Sequence, residues 1–284
     1  MQKKDNMQKG NLKEALKKKL TKKELSFLVK SFDSLGNIAV IEVPKELEKK
    51  EKLIGETLIE LNKNIKTVCK PIGPHKGKYR IQPLKIIAGE KNFIANYKES
   101  ASRFVFDVRK VFYSPRLSNE RLRISKLIKK NEVIGCFFAG AGFYPIVFSK
   151  NSEMKKATAI ELNPLAVKFM KKNIELNKCS NIEVIKGDVN QISGKKLKNC
   201  FDRIVMPMPH GGETFLKQTL KALKKNGVIH FYQVLEKETA FETAIKRAKT
   251  ECIKQKRTFK LLNKRIVRPF STTKVQVVID FKAN

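Results

Sequence analysis

The chain has 284 residues, and its 61 lysines and arginines against 27 aspartates and glutamates give a formal net charge of +34. Self-repulsion of that size calls for an anionic partner, nucleic acid first among them. A hydrophobic content of 41% suffices for a real core and excludes a disordered basic tail. No apolar run approaches the roughly 20 residues of a membrane span, and the opening MQKKDNMQKGNLKEALKKKL lacks the apolar region of a signal peptide. The expectation is a soluble, cytoplasmic monomer of two domains. Five scattered cysteines (Cys69, Cys136, Cys179, Cys200, Cys252) with no CxxC pair, and only three histidines, imply reduced thiols and no structural zinc.

In chain order, residues 1–24 alternate lysines with a few leucines and read as a basic N-terminal arm or short helix that touches phosphate. From 25 to 112, β-type runs (NIAVIEV, KTVCK, YRIQPLKIIAG, RFVFDV) surround one helical stretch, KELEKKEKLIGETLIELNKN, which predicts a small α+β RNA-contacting domain. In VFYSPRLSNERLRI, Ser114 as N-cap and Pro115 at the first helical position predict a helix with Arg116, Glu120 and Arg123 on one face. Leu117, Ile124, Leu127 and Ile128 then form its buried side. On this stretch alone, the favoured reading of Glu120 is an exposed i,i+4 ion pair.

From about 131 the rhythm becomes strand, helix, strand, with VIGCFFAG, KATAIEL, NIEVIKGD, DRIVMPM and VIHFYQV separated by helical segments. That alternation predicts an α/β domain over 113–284 with a mostly parallel, doubly wound sheet covered by helices on both faces. KRIVR and KVQVVIDF are joined too briefly for a crossover helix, so they pair antiparallel at the sheet edge.

The first of these strands ends in FFAGAGFYP, where small residues at Ala139, Gly140 and Gly142 let a ligand approach the backbone and the helix N-terminus. The second ends at Glu161, where a carboxylate can accept both hydroxyls of a ribose. Asn163 and Pro164 cap and open the next helix, and the third strand ends in Asp188, placed to face an adenine amino group. This order describes an adenosine site. Pro145 where a dinucleotide fingerprint would have its third glycine, and the final antiparallel hairpin, favour a class I fold for S-adenosylmethionine over a dehydrogenase.

FYSPRLSNER, FFAGAGFYPI, AIELNP, KKNIELNK and DRIVMPMPH, in this order, resemble the archaeal and eukaryotic tRNA (guanine(37)-N(1))-methyltransferases from about residue 30 to the end. The resemblance implies a small RNA-contacting domain joined to a class I, seven-stranded methyltransferase domain with an antiparallel last strand. It implies S-adenosylmethionine as cofactor and the anticodon loop of tRNA as partner. By this resemblance Glu120 is the general base, which transfer to guanine N(1) requires because that nitrogen carries a proton. Arg80 stabilises charge on the guanine oxygen, and Arg116 positions Glu120 or the RNA backbone. Phe112 stacks on the extruded base, while Phe138 and Pro209 join the glycine turn at the cofactor.

Three departures stand out. Pro207-Met208-Pro209 replaces the usual Asn-Leu-Pro, Cys136 replaces an aspartate, and NYKESASRF lacks the Glu-Asn-Gly turn. His210 and His230 read as structural. The alternatives are a wybutosine-pathway enzyme on the same nucleotide, either a methyltransferase on a tricyclic base or a 3-amino-3-carboxypropyl transferase, and a non-catalytic RNA-binding homologue.

Overall fold

The computed structural model describes residues 12–284 and divides into two compact units. The first runs to Lys98 and takes in Phe104–Pro115; the second comprises Glu99–Arg103 and Arg116–Asn284.

The first unit begins with α1 (Leu12–Leu16) and α2 (Lys22–Phe27), the latter opened by a capping box between Thr21 and Glu24. β1 (Phe32–Leu35) and β2 (Ile38–Ile41) form an antiparallel hairpin; a 3-10 turn (Lys45–Lys50) leads into α3 (Glu51–Leu61), then β3 (Thr67–Pro71) and β4 (Leu84–Gly89). The sheet order is β1-β2-β3-β4, and α3 supplies the crossover that the parallel β2–β3 pair requires. Gly55 lets α3 lie close on β4, because a Cβ there would stand 2.7 Å from the Ala88 Cβ.

The expected basic segment 1–24 is only partly accounted for. Residues 1–11 lie outside the described residues, and from Leu12 onward the leucines are core. Leu12, Leu16, Leu20 and Leu25 are buried with Ile54 and Leu58 of α3, so α1 and α2 are an integral layer of this unit. β5 (Ile94–Glu99) and β6 (Ser102–Asp107) form a separate two-stranded ribbon, whose tip, Glu99–Arg103, belongs to the second unit. At that tip Ser100 (φ 43°) and Ala101 (φ 59°) both lie in the left-handed region, where glycine or asparagine is the usual choice. The strained turn is held from around it: Asn151 donates to the Ser100 carbonyl at 2.8 Å, Asn177 clasps the Arg103 backbone, and Arg121 donates to both oxygens of Glu99.

In the second unit a 3-10 turn (Pro115–Leu117) precedes α4 (Ser118–Ser125). There follow β7 (Val133–Phe137), α5 (Phe143–Asn151), β8 (Lys156–Glu161), α6 (Pro164–Leu176), β9 (Ile182–Lys186), α7 (Val189–Lys196) and β10 (Phe201–Met206). The chain then continues through α8 (Leu216–Ala222), β11 (Leu223–Glu236), α9 (Ala240–Lys254), β12 (Phe259–Pro269) and β13 (Lys274–Ala283). These build the expected seven-stranded, doubly wound sheet, in the order β12-β13-β11-β10-β7-β8-β9. β7 to β11 are mutually parallel and β13 is antiparallel to both neighbours. The last strand is not itself the edge: β13 inserts beside β11 and leaves β12 outermost. β13 is accordingly almost wholly buried, whereas β12 is largely exposed. The chain leaves β7 toward β8 on one side and returns to β10 on the other, so the carboxyl ends of β7 and β10 flank the topological switch, where ligands bind in such sheets.

Candidate active site

At the carboxyl end of β7 the backbone turns through three left-handed residues: Phe138 (φ 56°), Gly140 (φ 58°) and Gly142 (φ 91°). Gly142 caps α5, and a side chain there would press within 3.0 Å of Ile146 and Met170. Phe138 tolerates its strain while packed edge-on against Phe215 at 4.8 Å. Ala139 is buried and donates its N–H to the Ile160 carbonyl at 3.1 Å, tying the turn to β8.

Glu161, the last residue of β8, accepts the Gly140 N–H at 2.8 Å and the Asn163 N–H at 2.7 Å. Burial raises its carboxyl above the usual range, and the backbone N–H donors of Asn163, Gly140 and Leu162 oppose that rise. Asn163 caps α6 through the Leu165 and Ala166 N–H groups, with Pro164 at the first helical position as expected. Asp188, half-buried, caps α7 by accepting the Asn190 N–H at 2.8 Å. The Pro209 carbonyl accepts the Val234 N–H at 2.9 Å, binding the loop after β10 to β11. Cys136 is fully buried in β7 beside Ile124, Tyr144 and Phe148, and burial drives its thiol well above the ordinary range. It is therefore a core residue.

α4 differs from expectation at its start. Helical turns begin at Ser118 with Leu117 as N-cap, and Arg116 lies exposed on the preceding 3-10 turn. Leu127 is exposed as well, while Leu117, Ile124 and Ile128 are buried. The exposed ion pair expected of Glu120 is not what forms. Glu120 is 4% exposed and partnered at i+3: Arg123 donates Nη2 to Oε1 at 2.7 Å and Nε to Oε2 at 3.0 Å. Tyr232 of β11 donates its hydroxyl to Oε1 at 2.8 Å. Arg265 of β12 stands 3.6 Å from Oε2.

Arg123 also reaches Asp280 of β13, at 2.8 and 3.3 Å. Asp280 in turn faces His230 Nδ1 at 2.6 Å, and His230 Nε2 faces Arg203 Nη1 at 2.8 Å. A guanidinium only donates, so Nε2 of His230 accepts and its proton sits on Nδ1, donated to Asp280. Arg203 closes the chain on Glu132. Burial lowers the imidazole's proton affinity, while His230 and Arg123 hold the Asp280 carboxyl far below the usual carboxylate range against its own desolvation.

Arg80 and Phe112 both belong to the first unit and line one cavity of about 90 Å³ with Asp33, His75 and Gln82. Arg80 closes a tight turn in the left-handed region (φ 51°) by donating its N–H to the Gly77 carbonyl at 3.1 Å. Phe112, 39% exposed, meets His75 edge-on at 5.5 Å. Burial, with Arg80 nearby, disfavours the charged form of His75.

The TRM5/TYW2 methyltransferase domain family matches residues 95–262. The chain belongs to that family. Residues 12–92 match the TYW2 N-terminal domain. The chain is 35% identical over 258 residues to the tRNA (guanine(37)-N(1))-methyltransferase Trm5b of Pyrococcus abyssi, an alignment spanning 91% of this chain and 76% of that protein. The crystal structure of Pyrococcus abyssi Trm5b superposes with a TM-score of 0.86 at 34% identity, covering 93% of this chain and 78% of the other. An archaeal Trm5 in complex with leucine tRNA superposes at 0.84 with 31% identity, covering 99% and 80%.

Within this family framework, the sequence reading missed Tyr232, Arg265 and Asp280. A usable signal existed for Asp280, the only charge in KVQVVIDF after its first lysine: an acid in so apolar a strand must be paired. Tyr232 and Arg265 carried none, because their contact with Glu120 spans more than a hundred residues.

Proposed function

We propose that this chain is a cytoplasmic, monomeric tRNA methyltransferase that transfers a methyl group from S-adenosylmethionine to N(1) of guanosine 37. The observation that carries this reading is Glu120, a buried carboxylate held by Tyr232 and Arg123 on the S-P-R-L-x-x-E-R element. The net charge of +34 supports an RNA partner, and among the described residues no helix is long and apolar enough to cross a membrane.

The residues at the carboxyl ends of β7 and β8 suit the cofactor. Its ribose hydroxyls would take the carboxylate of Glu161, and its adenine would lie toward Asp188. Gly140 and Gly142 keep the turn free of side chains where the ligand backbone would pass. When bound, the cofactor supplies a methyl group on a positively charged sulfur. Guanine N(1) forms the new bond to that carbon as the carbon–sulfur bond breaks, and Glu120 takes the N(1) proton. Arg80 would offset negative charge on the guanine oxygen, Phe112 would stack on the base, Arg116 would engage the RNA backbone, and Phe138 and Pro209 would shape the cofactor's surroundings.

A second reading is 3-amino-3-carboxypropyl transfer in the wybutosine pathway, favoured by the match of residues 12–92 to a TYW2 N-terminal domain. Mass spectrometry of nucleosides from two tRNAs, one with guanosine 37 and one with a tricyclic wybutosine-type base at that position, after incubation of each with the protein and S-adenosylmethionine, tests both. 1-Methylguanosine at position 37 is expected. An aminocarboxypropyl adduct, obtained only on a tricyclic base, would establish the second reading instead.

A further inference from the structure

The two oxygens of Glu120 are not equivalent. Oε1 receives two short hydrogen bonds, from Tyr232 and Arg123, both anchored in the interior. Oε2 receives one, from Arg123 Nε, and its other neighbour is Arg265 at 3.6 Å, beyond hydrogen-bond length. Arg265 is 45% exposed at the side chain against 3% for Glu120. Its strand, β12, is the outermost of the sheet, FKLLNKRIVRP, with four cations and no acid. Phe270 and Ile266 are exposed beside them, offering apolar surface among the charges. Cations on an edge strand also discourage strand addition, but such a role does not require one of them to reach a buried carboxylate.

We propose that Arg265 is the RNA-responsive counter-ion of Glu120. In the free protein it neutralises the Oε2 side of the buried carboxylate. When RNA lies along β12, a phosphate takes the guanidinium, and Oε2 is left as the oxygen that accepts the N(1) proton. Availability of the base thereby becomes coupled to substrate engagement. This rests on Glu120 being the base and on RNA being the substrate. It adds a positioning residue, the oxygen it controls and the strand that RNA must contact.

The test is a binding cycle on the full chain with a tRNA transcript carrying guanosine 37, without methyl donor, over a range of salt concentrations. Arg265→Ala should weaken binding and reduce the salt slope by about 0.7–0.9, the worth of one phosphate contact. Glu120→Gln should release Arg265 and tighten binding about two- to fivefold, in the range of a surface ion pair. In the Arg265→Ala background Glu120→Gln should have no such effect, and Arg265→Lys should keep the slope. Additive effects in the cycle, or an unchanged slope in Arg265→Ala, would reduce Arg265 to an edge cation. If Glu120→Gln does not fold, the slope of Arg265→Ala alone decides. The outcome is separate from that of the base assignment, which is read from methylation rates and not from affinity.

Discussion

Tyr232 donates its hydroxyl to Glu120 Oε1 at 2.8 Å, joining the middle of β11 to the first turn of α4 across 112 residues of chain. Burial, with Tyr144 and Glu120 nearby, keeps that phenol protonated well above the ordinary tyrosine range, so it remains a donor at every working pH. Tyr232→Phe removes a hydrogen bond to a charged, buried acceptor and should cost about 1.5–3 kcal/mol of stability in urea unfolding. Because Arg123 still grips both oxygens, cofactor affinity should persist while single-turnover methylation falls. Equal losses in binding and rate would mean that Tyr232 supports the fold alone.

Much of this was legible in the sequence for a physical reason: the βα alternation from 131 onward is periodic, and each strand end carries its own small or acidic residue. Gly142, Glu161, Asn163 and Asp188 occupy the strand ends and helix caps that local chemistry predicts. Glu120 was the opposite case. Its sequence neighbours suggested a solvated ion pair, whereas its burial is imposed by β11, β12 and β13, which are distant in sequence. α1 and α2 erred in the same direction, since a lysine-rich composition concealed leucines that fit α3.

The leucines give a direct prediction. Leu16 is fully buried against the first unit's core, so Leu16→Ala should lower stability by about 2–5 kcal/mol, as core truncations do. A truncation ending at residue 11 should leave that core intact, while one reaching residue 24 should destabilise it. Denaturant melts of the two truncations distinguish a structural layer from an appended arm.

Glu161 should make cofactor binding sensitive to acid. Its folded carboxyl is raised by burial, so as pH falls it takes up a proton earlier than an ordinary glutamate and loses acceptor capacity for ribose hydroxyls. Affinity measured by calorimetry should therefore decline through the mildly acidic range, and Glu161→Gln should be weaker at neutral pH by about 1.5–3 kcal/mol with that decline removed. An unchanged affinity in Glu161→Gln would take this residue out of the cofactor site.

Stability should carry its own pH signature at His230. The folded imidazole is held below its usual value, so the unfolded chain binds the proton more readily; the stability is complete above about pH 6.5 and is lost as pH falls through the lower folded value. Protonation would set a second donor against Arg203 Nη1 at 2.8 Å. Asp280, whose folded carboxyl is depressed, adds a further loss only below the ordinary aspartate range. Between about pH 6.5 and 5, where a free histidine begins to titrate, the unfolding free energy of wild type should fall more steeply than that of His230→Gln if His230 is the source. Parallel slopes would place the sensitivity elsewhere.

The final prediction concerns Glu120 as proton acceptor. Glu120→Gln preserves size and one carbonyl oxygen but removes the charge and the basicity, so single-turnover methylation at saturating tRNA and cofactor should fall by about 10²–10⁴, the usual worth of a general base. Burial changes what else must happen. Arg123 would lose one of its two carboxylate partners while keeping Asp280, so stability should drop, though by less than the roughly 3–5 kcal/mol of a buried pair broken outright. Cofactor affinity is the control, because Glu161 and the Gly140 turn lie on β7 and β8 and do not contact Glu120 through any of its hydrogen bonds described above. A variant that binds cofactor normally, melts lower and fails to methylate fits a buried base. One that binds cofactor normally, melts lower and methylates at the wild-type rate would make Glu120 an interior ion-pair partner with no part in proton transfer.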